Sequence, residues 1–275
     1  MIDFETILGN VRAKAPLVHN ITNYVTVNDC ANILLACGGS PIMSDDVGEA
    51  EEITAVCGGL NINIGTLNAN TIPAMFAAGR RANALGHPVL LDPVGAGASR
   101  LRTETAAQLI EQVRFAVVRG NISEIKALAQ GTSSTKGVDA DAADRVNAAN
   151  IAGVIAFAKA FAQRTGAVVA ITGATDILTD GERVCCITNG HPMMSRVTGT
   201  GCMLSAMTAA YVTANPDRPF EAACAAVAAM GLAGEIAFRR LGPADGNSSY
   251  RNYIIDAVYH LTAAQLEDGA KYEMR

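Results

Sequence analysis

Short, continuous apolar runs alternate with longer stretches of helical period along the first two thirds of the chain. Leu60-Asn61-Ile62-Asn63-Ile64-Gly65 predicts a strand, followed by a helix over residues 70–85. Pro88-Val89-Leu90-Leu91-Asp92 predicts a second strand, with a helix over 103–113 behind it. Phe115-Ala116-Val117-Val118-Arg119 predicts a third, with a helix opening near Ile122, and a helical stretch over 148–165 leads into Ala167-Val168-Val169-Ala170-Ile171-Thr172. Strands buried on both faces read as unbroken apolar runs, and the interleaved helices supply the cover. The pattern therefore predicts an α/β protein with a mostly parallel sheet between two helical layers. After Thr172 the pattern changes. Ile177-Leu178-Thr179 and the run from Val184 to Ile187 flank Asp180-Gly181, a hairpin signal. From Cys202 onward the chain reads as helix almost throughout, with breaks at Asn215-Pro216 and Gly242-Pro243. Small residues crowd 222–234, as close helix packing requires, and the polar segment 131–144 reads as a surface loop. No repeat or low-complexity linker interrupts this organisation, so residues 1–275 are expected to form a single domain.

Composition narrows the classes. The chain has 275 residues, 50% of them hydrophobic, enough for one large core. Charged residues make up 17% and the formal net charge is −5, so there is no basic footprint for nucleic acid. A nucleotide is not excluded, because such a site is local and built largely from backbone amides. Seven cysteines lack both zinc-ligand and disulfide-framework spacing and read as the reduced thiols of a cytoplasmic protein. The first ten residues carry Asp3 and Glu5, with no basic or apolar targeting pattern. Residues 60–79 lack charge but contain asparagines and Pro73, and the apolar run 222–234 is short and bracketed by Glu221 and Glu235. No membrane span is expected.

In open α/β sheets ligands bind beyond the carboxyl ends of the strands. Those ends are Asp92-Pro93-Val94-Gly95-Ala96-Gly97, Arg119-Gly120-Asn121 with Glu124 three residues on, and Thr172-Gly173. Each alone is ordinary turn chemistry; their joint placement on one sheet edge is the signal. The most informative segment is Val197-Thr198-Gly199-Thr200-Gly201-Cys202-Met203. Alternating glycines let backbone N–H groups turn inward, and the helix behind adds its positive end, which together suit an anion. The Lys of a Walker loop and the glycine spacing of a dinucleotide fingerprint are both missing. On pattern alone, a structural turn and an anion hole both remain open.

Taken in order, these segments resemble the hydroxyethylthiazole kinases of the ribokinase-like superfamily over nearly the whole chain. Val18-His19-Asn20-Ile21-Thr22-Asn23-Tyr24-Val25 and Ser40-Pro41-Ile42-Met43-Ser44 resemble that family's substrate-side segments. The resemblance implies a three-layer α/β/α ribokinase-like fold with no separate lid domain. It implies ATP-dependent phosphorylation of the primary hydroxyl of 4-methyl-5-(2-hydroxyethyl)thiazole, with Mg²⁺, in thiamine biosynthesis or salvage. It carries Gly199, Thr200, Gly201 and Cys202 over as the phosphoryl-transfer turn, and Asp92 and Glu124 as metal-holding carboxylates. Arg119 and Thr172 carry over as nucleotide contacts, and Asn23, Met43 and Gly199 as thiazole-side residues. It further implies a homotrimer with active sites between subunits.

His19 reads as a structural residue. Cys202 stands where the wider superfamily usually has Asp as the presumed base. A helix N-terminus lowers a thiol pKa and nearby phosphate raises it, so base and positioning roles both stay open. The alternatives are a pyridoxine-type or pyrimidine-type kinase, for which Asp is expected at 202, a nucleotide-dependent dehydratase, and a non-catalytic thiazole or nucleotide binder. Intact substrate-side segments at Asn23 and Met43 argue against the dehydratase, and retention of Asp92 and Glu124 against the binder.

Overall fold

The computed structural model describes residues 1–130, 146, 147 and 149–275, so the expected loop over 131–144 lies outside the described residues. Within them, nine strands form one sheet: β1 (Leu17–Ile21), β2 (Ser40–Met43), β3 (Gly59–Asn63), β4 (Val89–Asp92), β5 (Val117–Asn121), β6 (Val168–Thr172), β7 (Asp176–Thr179), β8 (Val184–Ile187) and β9 (Tyr272–Met274). Their spatial order is β2-β1-β3-β4-β5-β6-β7-β8-β9. The first six in that order pair in parallel, and the last three add antiparallel. The carboxyl ends of all six parallel strands consequently face one edge.

Two helical layers cover the sheet, because its side chains alternate between two apolar cores. Val18, Leu90, Val117, Ala170 and Leu178 belong to one core. It is shared with α1 (Phe4–Lys14), α2 (Val27–Cys37), α8 (Thr200–Ala214), α9 (Pro219–Arg240), α10 (Asn247–His260) and α11 (Ala263–Gly269). Leu60, Ile62, Leu91, Val118 and Ile171 belong to the other. Its cover comes from α3 (Ala50–Val56), α4 (Thr71–Leu85), α5 (Arg100–Gln112), α6 (Ile122–Gln130) and α7 (Ile151–Thr165). Helix α8 is buried nearly all round and lies over β1, β3 and β4 between α2 and α9. By length and composition α9, at 22 residues, could cross a membrane, but 83% of its apolar window is buried inside the protein, as in a core helix.

The strands expected from apolar runs are present, and so is the hairpin. Helix α5 opens at Arg100 rather than 103, because the Ser99 side chain caps it by accepting from the Arg102 amide. Strands β1 and β2 are additional. His19 and Asn20 break the apolar run of β1, and β2 is a short, half-buried edge strand carrying Pro41. Strand β9 closes the opposite edge with only three residues.

Candidate active site

Alternation along the strands sets the site. On the sheet face turned toward α8, in register with Val18, Leu90, Val117 and Ala170, stand Asn20, Asn63, Asp92, Arg119 and Thr172. All lie at or near a strand's carboxyl end. Asp92 is fully buried. Its Oδ2 accepts from Asn63 Nδ2 at 2.9 Å and Ser205 Oγ at 2.8 Å, with Arg119 Nη1 at 3.6 Å. Its Oδ1 is buried and finds no hydrogen-bond partner among the described residues. Burial raises the Asp92 carboxyl above its ordinary value, against the pull of the Arg119 guanidinium and the two side-chain donors.

Glu124 opens α6 and exchanges reciprocal bonds with Asn121. Glu124 Oε2 accepts the Asn121 amide at 2.8 Å, and Asn121 Oδ1 accepts the Glu124 amide at 2.9 Å. Its other oxygen accepts the Gly95 amide at 2.8 Å, so one carboxylate fastens the loop after β4 to the turn after β5. Burial, then the Asp92 charge, pushes Glu124 up to about 7. The helix-cap and metal-holding readings thus fall on the same carboxylate.

Arg119 and Thr172 meet directly, the guanidinium Nη2 donating to Thr172 Oγ1 at 2.6 Å. The Arg119 side chain is 12% exposed and lies under Gly201, where an added Cβ would come within 2.7 Å of Nη1. A side chain at this position would have to push the guanidinium aside. Gly199 has φ +90°, and a Cβ there would strike Thr26 Cγ2 at 2.5 Å, so both conformation and space demand glycine. The first intrahelical bond of α8 runs from the Met203 amide to the Gly199 carbonyl at 2.8 Å. The amides of Thr200, Gly201 and Cys202 therefore precede the helical ladder and form its positive end. The Thr200 hydroxyl is turned away, donating to the Met194 carbonyl at 3.4 Å, so Thr200 offers the turn its backbone N–H.

Of the seven free cysteines, Cys202 alone is not buried. Its Sγ accepts from Asn23 Nδ2 at 3.2 Å and Asn63 Nδ2 at 3.3 Å. Burial and the Asp92 carboxylate raise the thiol above its usual value, while the Thr26, Asn23 and Asn63 donors act the other way. Beside this cluster, a cleft is lined by Asn20, Thr22, Tyr24, Met43, Ser44 and Thr66, among others. Met43 reaches the cleft from the end of β2. Asn23 is buried behind it, bonded to Cys202, Asn63 and Thr26. His19 has both ring nitrogens engaged, Nδ1 with Thr54 Oγ1 at 2.9 Å and Nε2 with the Ser44 carbonyl at 3.0 Å, which suits a structural residue.

Three polar residues of the cluster were not singled out from sequence: Asn63, Ser205 and Asp176. Asn61 and Asn63 alternate with Leu60 and Ile62, a polar stripe on one face of an apolar strand. That stripe was a usable signal. Ser205 is hidden in an otherwise apolar helix. Asp176 opens the hairpin like an ordinary turn residue, yet it is buried, accepts the Gly173 amide at 2.9 Å, and is pushed up to about 7 by burial. Among the described residues no group of three or more His, Cys, Asp or Glu side chains is placed to share a metal ion, while Asp92 and Glu124 lie close enough for the charge of one to act on the other.

A mostly parallel α/β/α sandwich, with a glycine turn opening a core helix beside strand-end Asp and Arg, is the ribokinase-like arrangement. A model of the hydroxyethylthiazole kinase family matches residues 8–264. A hydroxyethylthiazole kinase of Clostridium acetobutylicum is 64% identical over 266 residues, covering 97% of each chain. One of Ruminiclostridium cellulolyticum is 51% identical over 252 residues, covering 92% of this chain and 90% of that one. The structure of the hydroxyethylthiazole kinase protein from Pyrococcus horikoshii superposes with TM-score 0.88 at 34% identity, covering 99% of this chain and 98% of that one. The chain belongs to the hydroxyethylthiazole kinase family. The pyridoxal kinase of Staphylococcus aureus, at TM-score 0.60 and 16% identity over 94% of this chain and 97% of that one, shares the fold alone.

Proposed function

We propose that this chain transfers the γ-phosphoryl group of ATP to the primary hydroxyl of 4-methyl-5-(2-hydroxyethyl)thiazole, a step of thiamine biosynthesis and salvage. The observation that carries this reading is the convergence of Asp92, Arg119 and Cys202 on the open amide end of α8, in a chain of this family. Phosphoryl transfer has a loose transition state, so the protein's task is positioning and charge neutralisation. The amides of Thr200, Gly201 and Cys202, with the helix end behind them, receive the transferring group. Arg119 adds a cation immediately beneath the turn, and Thr172 fixes the orientation of its guanidinium fork.

Asp92 and Glu124 would hold Mg²⁺, which keeps much of its water and needs few carboxylates. The unpartnered, buried Asp92 Oδ1 fits such a ligand. When bound, Mg²⁺ supplies charge neutralisation of the phosphate oxygens. Met43 and Asn23 lie on the acceptor side, with Gly199 shaping the turn against Thr26. Cys202, whose thiol is raised by burial and by Asp92, holds the alcohol in line rather than removing its proton first. The new O–P bond forms as the bond to the ADP oxygen breaks, and the hydroxyl proton passes late to the transferred group.

The chain acts as a single domain, in the cytoplasm, and as a homotrimer whose sites lie between subunits. Exposed apolar residues at Tyr24, Val25, Val27 and Leu35, before and along α2, which packs on the edge strand β2, and at Val47 just after that strand leave apolar surface beside the edge, as a covered edge would need. Seven free thiols agree with a reducing compartment. Incubation with ATP, Mg²⁺ and a panel of thiazole, pyridoxine and pyrimidine alcohols tests the activity. ADP formed with hydroxyethylthiazole alone is the expected result. Ligand binding without ADP would instead favour the non-catalytic reading.

A further inference from the structure

Asn63 is almost completely buried, at 1% exposure, and its amide uses every hydrogen-bonding position it has. Nδ2 donates to Asp92 Oδ2 at 2.9 Å and to Cys202 Sγ at 3.3 Å. Oδ1 accepts from Asn23 Nδ2 at 3.0 Å and from the Gly65 amide at 2.9 Å. The bond from the Gly65 backbone admits no flipped amide, because N–H cannot donate to NH₂. The two donated bonds are therefore fixed in direction, one to each side of the reaction. Asn23 is equally committed, with Oδ1 accepting the Thr26 amide and hydroxyl at 3.1 Å and Nδ2 shared between Asn63 and Cys202. Cys202 Sγ is thus held between two amide donors.

Asp92 Oδ2 is likewise held between two donors, Asn63 and Ser205, which leaves Oδ1 as the oxygen free for a ligand. Two buried amides with every position engaged, Asn23 and Asn63, specify one arrangement of the groups they hold and resist any other. We propose that Asn63 is a positioning residue that sets the Cys202 thiol and the Asp92 carboxylate together, so that the acceptor side and the metal side of the site share one support. The proposal rests on the kinase reading above for its functional meaning and on the bond network for its geometry.

Asn63→Asp is the main test. It is isosteric and keeps the oxygen that accepts from Asn23 and Gly65, while its second oxygen, beside Asp92, carries at most one shared proton and cannot donate to both Asp92 and Cys202. Turnover should fall about 10²-fold, the scale of a ~1 Å misplacement, with the thiazole KM changed much less. The Mg²⁺ half-saturation should rise. Alkylation of Cys202 by iodoacetamide at pH 8, read by peptide mass with the six buried cysteines as internal controls, should slow by about tenfold, one pKa unit of lost thiolate support.

Ser205→Ala removes the other Asp92 donor, is benign in a helix, and touches no thiol. It should raise the Mg²⁺ half-saturation and leave alkylation at the wild-type rate. Unchanged alkylation or unchanged Mg²⁺ dependence in Asn63→Asp would overturn the shared-support role. Equal slowing of alkylation in Ser205→Ala would also overturn it, by routing the effect through the Asp92 charge. An inactive wild type would sink the kinase reading instead, a separate result from an active wild type whose thiol ignores Asn63.

Discussion

The proposed phosphoryl side of the site and its proposed acceptor side are built in opposite ways. Around β4, β5, β6 and the start of α8, polar side chains are buried and bonded within the chain: Asp92 to Asn63 and Ser205, Arg119 to Thr172, Glu124 to two backbone amides. Around β1 and β2 the cleft is open, and its lining carries apolar side chains in water, with Tyr24 77% and Val27 36% exposed. Charge stabilisation needs fixed dipoles shielded from solvent, and on this side the chain supplies them from its own buried side chains and amides. Recognition of a small, weakly polar ring needs a mostly apolar cover with a few placed polar groups, and in the proposed homotrimer a neighbouring subunit would bring part of that cover.

Breaking the closed side should have the largest effect. Arg119→Ala removes the cation under Gly201 and leaves Asp92 without its counter-charge, and turnover should drop on the order of 10³-fold. Steady-state kinetics should show the thiazole KM within a few fold of wild type; a loss confined to KM would place Arg119 on the acceptor side. The open side should respond differently. Leu35→Asp, on the exposed face of α2, should shift the protein to smaller species in sedimentation and raise the thiazole KM about tenfold, some 1.4 kcal/mol. Turnover at saturation should be largely retained. A clean monomer with an unchanged KM would rule out a shared acceptor site.

The same contrast governs how much was legible in the sequence. The central strands announced themselves as apolar runs, and their ends placed Asp92, Arg119 and Thr172 on one edge because parallel topology leaves no other arrangement. Strands β1 and β2 did not, since His19, Asn20 and Pro41 disguise strands that carry site residues at the open border. Asn63 was legible in principle. Its polar stripe within β3 counted only as an argument against a membrane span, although a buried strand has no other use for two asparagines on one face. Ser205 was not legible, because its partner Asp92 lies 113 residues away and only tertiary contact reveals it. The orientation of the Thr200 hydroxyl is of the same kind, set by where the Met194 carbonyl falls.

Between the two sides sits Cys202, and its variants sharpen the boundary. The thiol is raised by burial and by Asp92, so at neutral pH it is protonated and serves as a shape and a hydrogen-bonding group. Cys202→Asp should keep or raise turnover, since a carboxylate can also receive the hydroxyl proton. Cys202→Ala should lower it only moderately, about tenfold, or 1.4 kcal/mol in the barrier. Complete loss in both variants, with circular dichroism unchanged, would show that thiol chemistry itself is required and that the boundary residue belongs to the closed side.

The smallest effect on rate should come from Asp176, which supports the closed side without lying under the turn. Its carboxyl accepts the Gly173 amide next to Thr172, and burial raises it from 3.8 to about 7. Between those values the folded protein holds a proton that the unfolded chain releases. Stability contributed by this group is therefore lost as pH rises through that window and is constant above it. Asp176→Asn keeps an oxygen for the Gly173 amide and removes the titration. Relative to wild type, the variant should gain on the order of 2 kcal/mol of unfolding free energy between pH 5 and pH 8, read from urea denaturation. Turnover should stay within a few fold, because Thr172 keeps its bond to Arg119. A parallel pH dependence in the two proteins would show that Asp176 carries its charge when folded and belongs to the Arg119 cation, which would extend the phosphoryl machinery one residue further along the sheet edge.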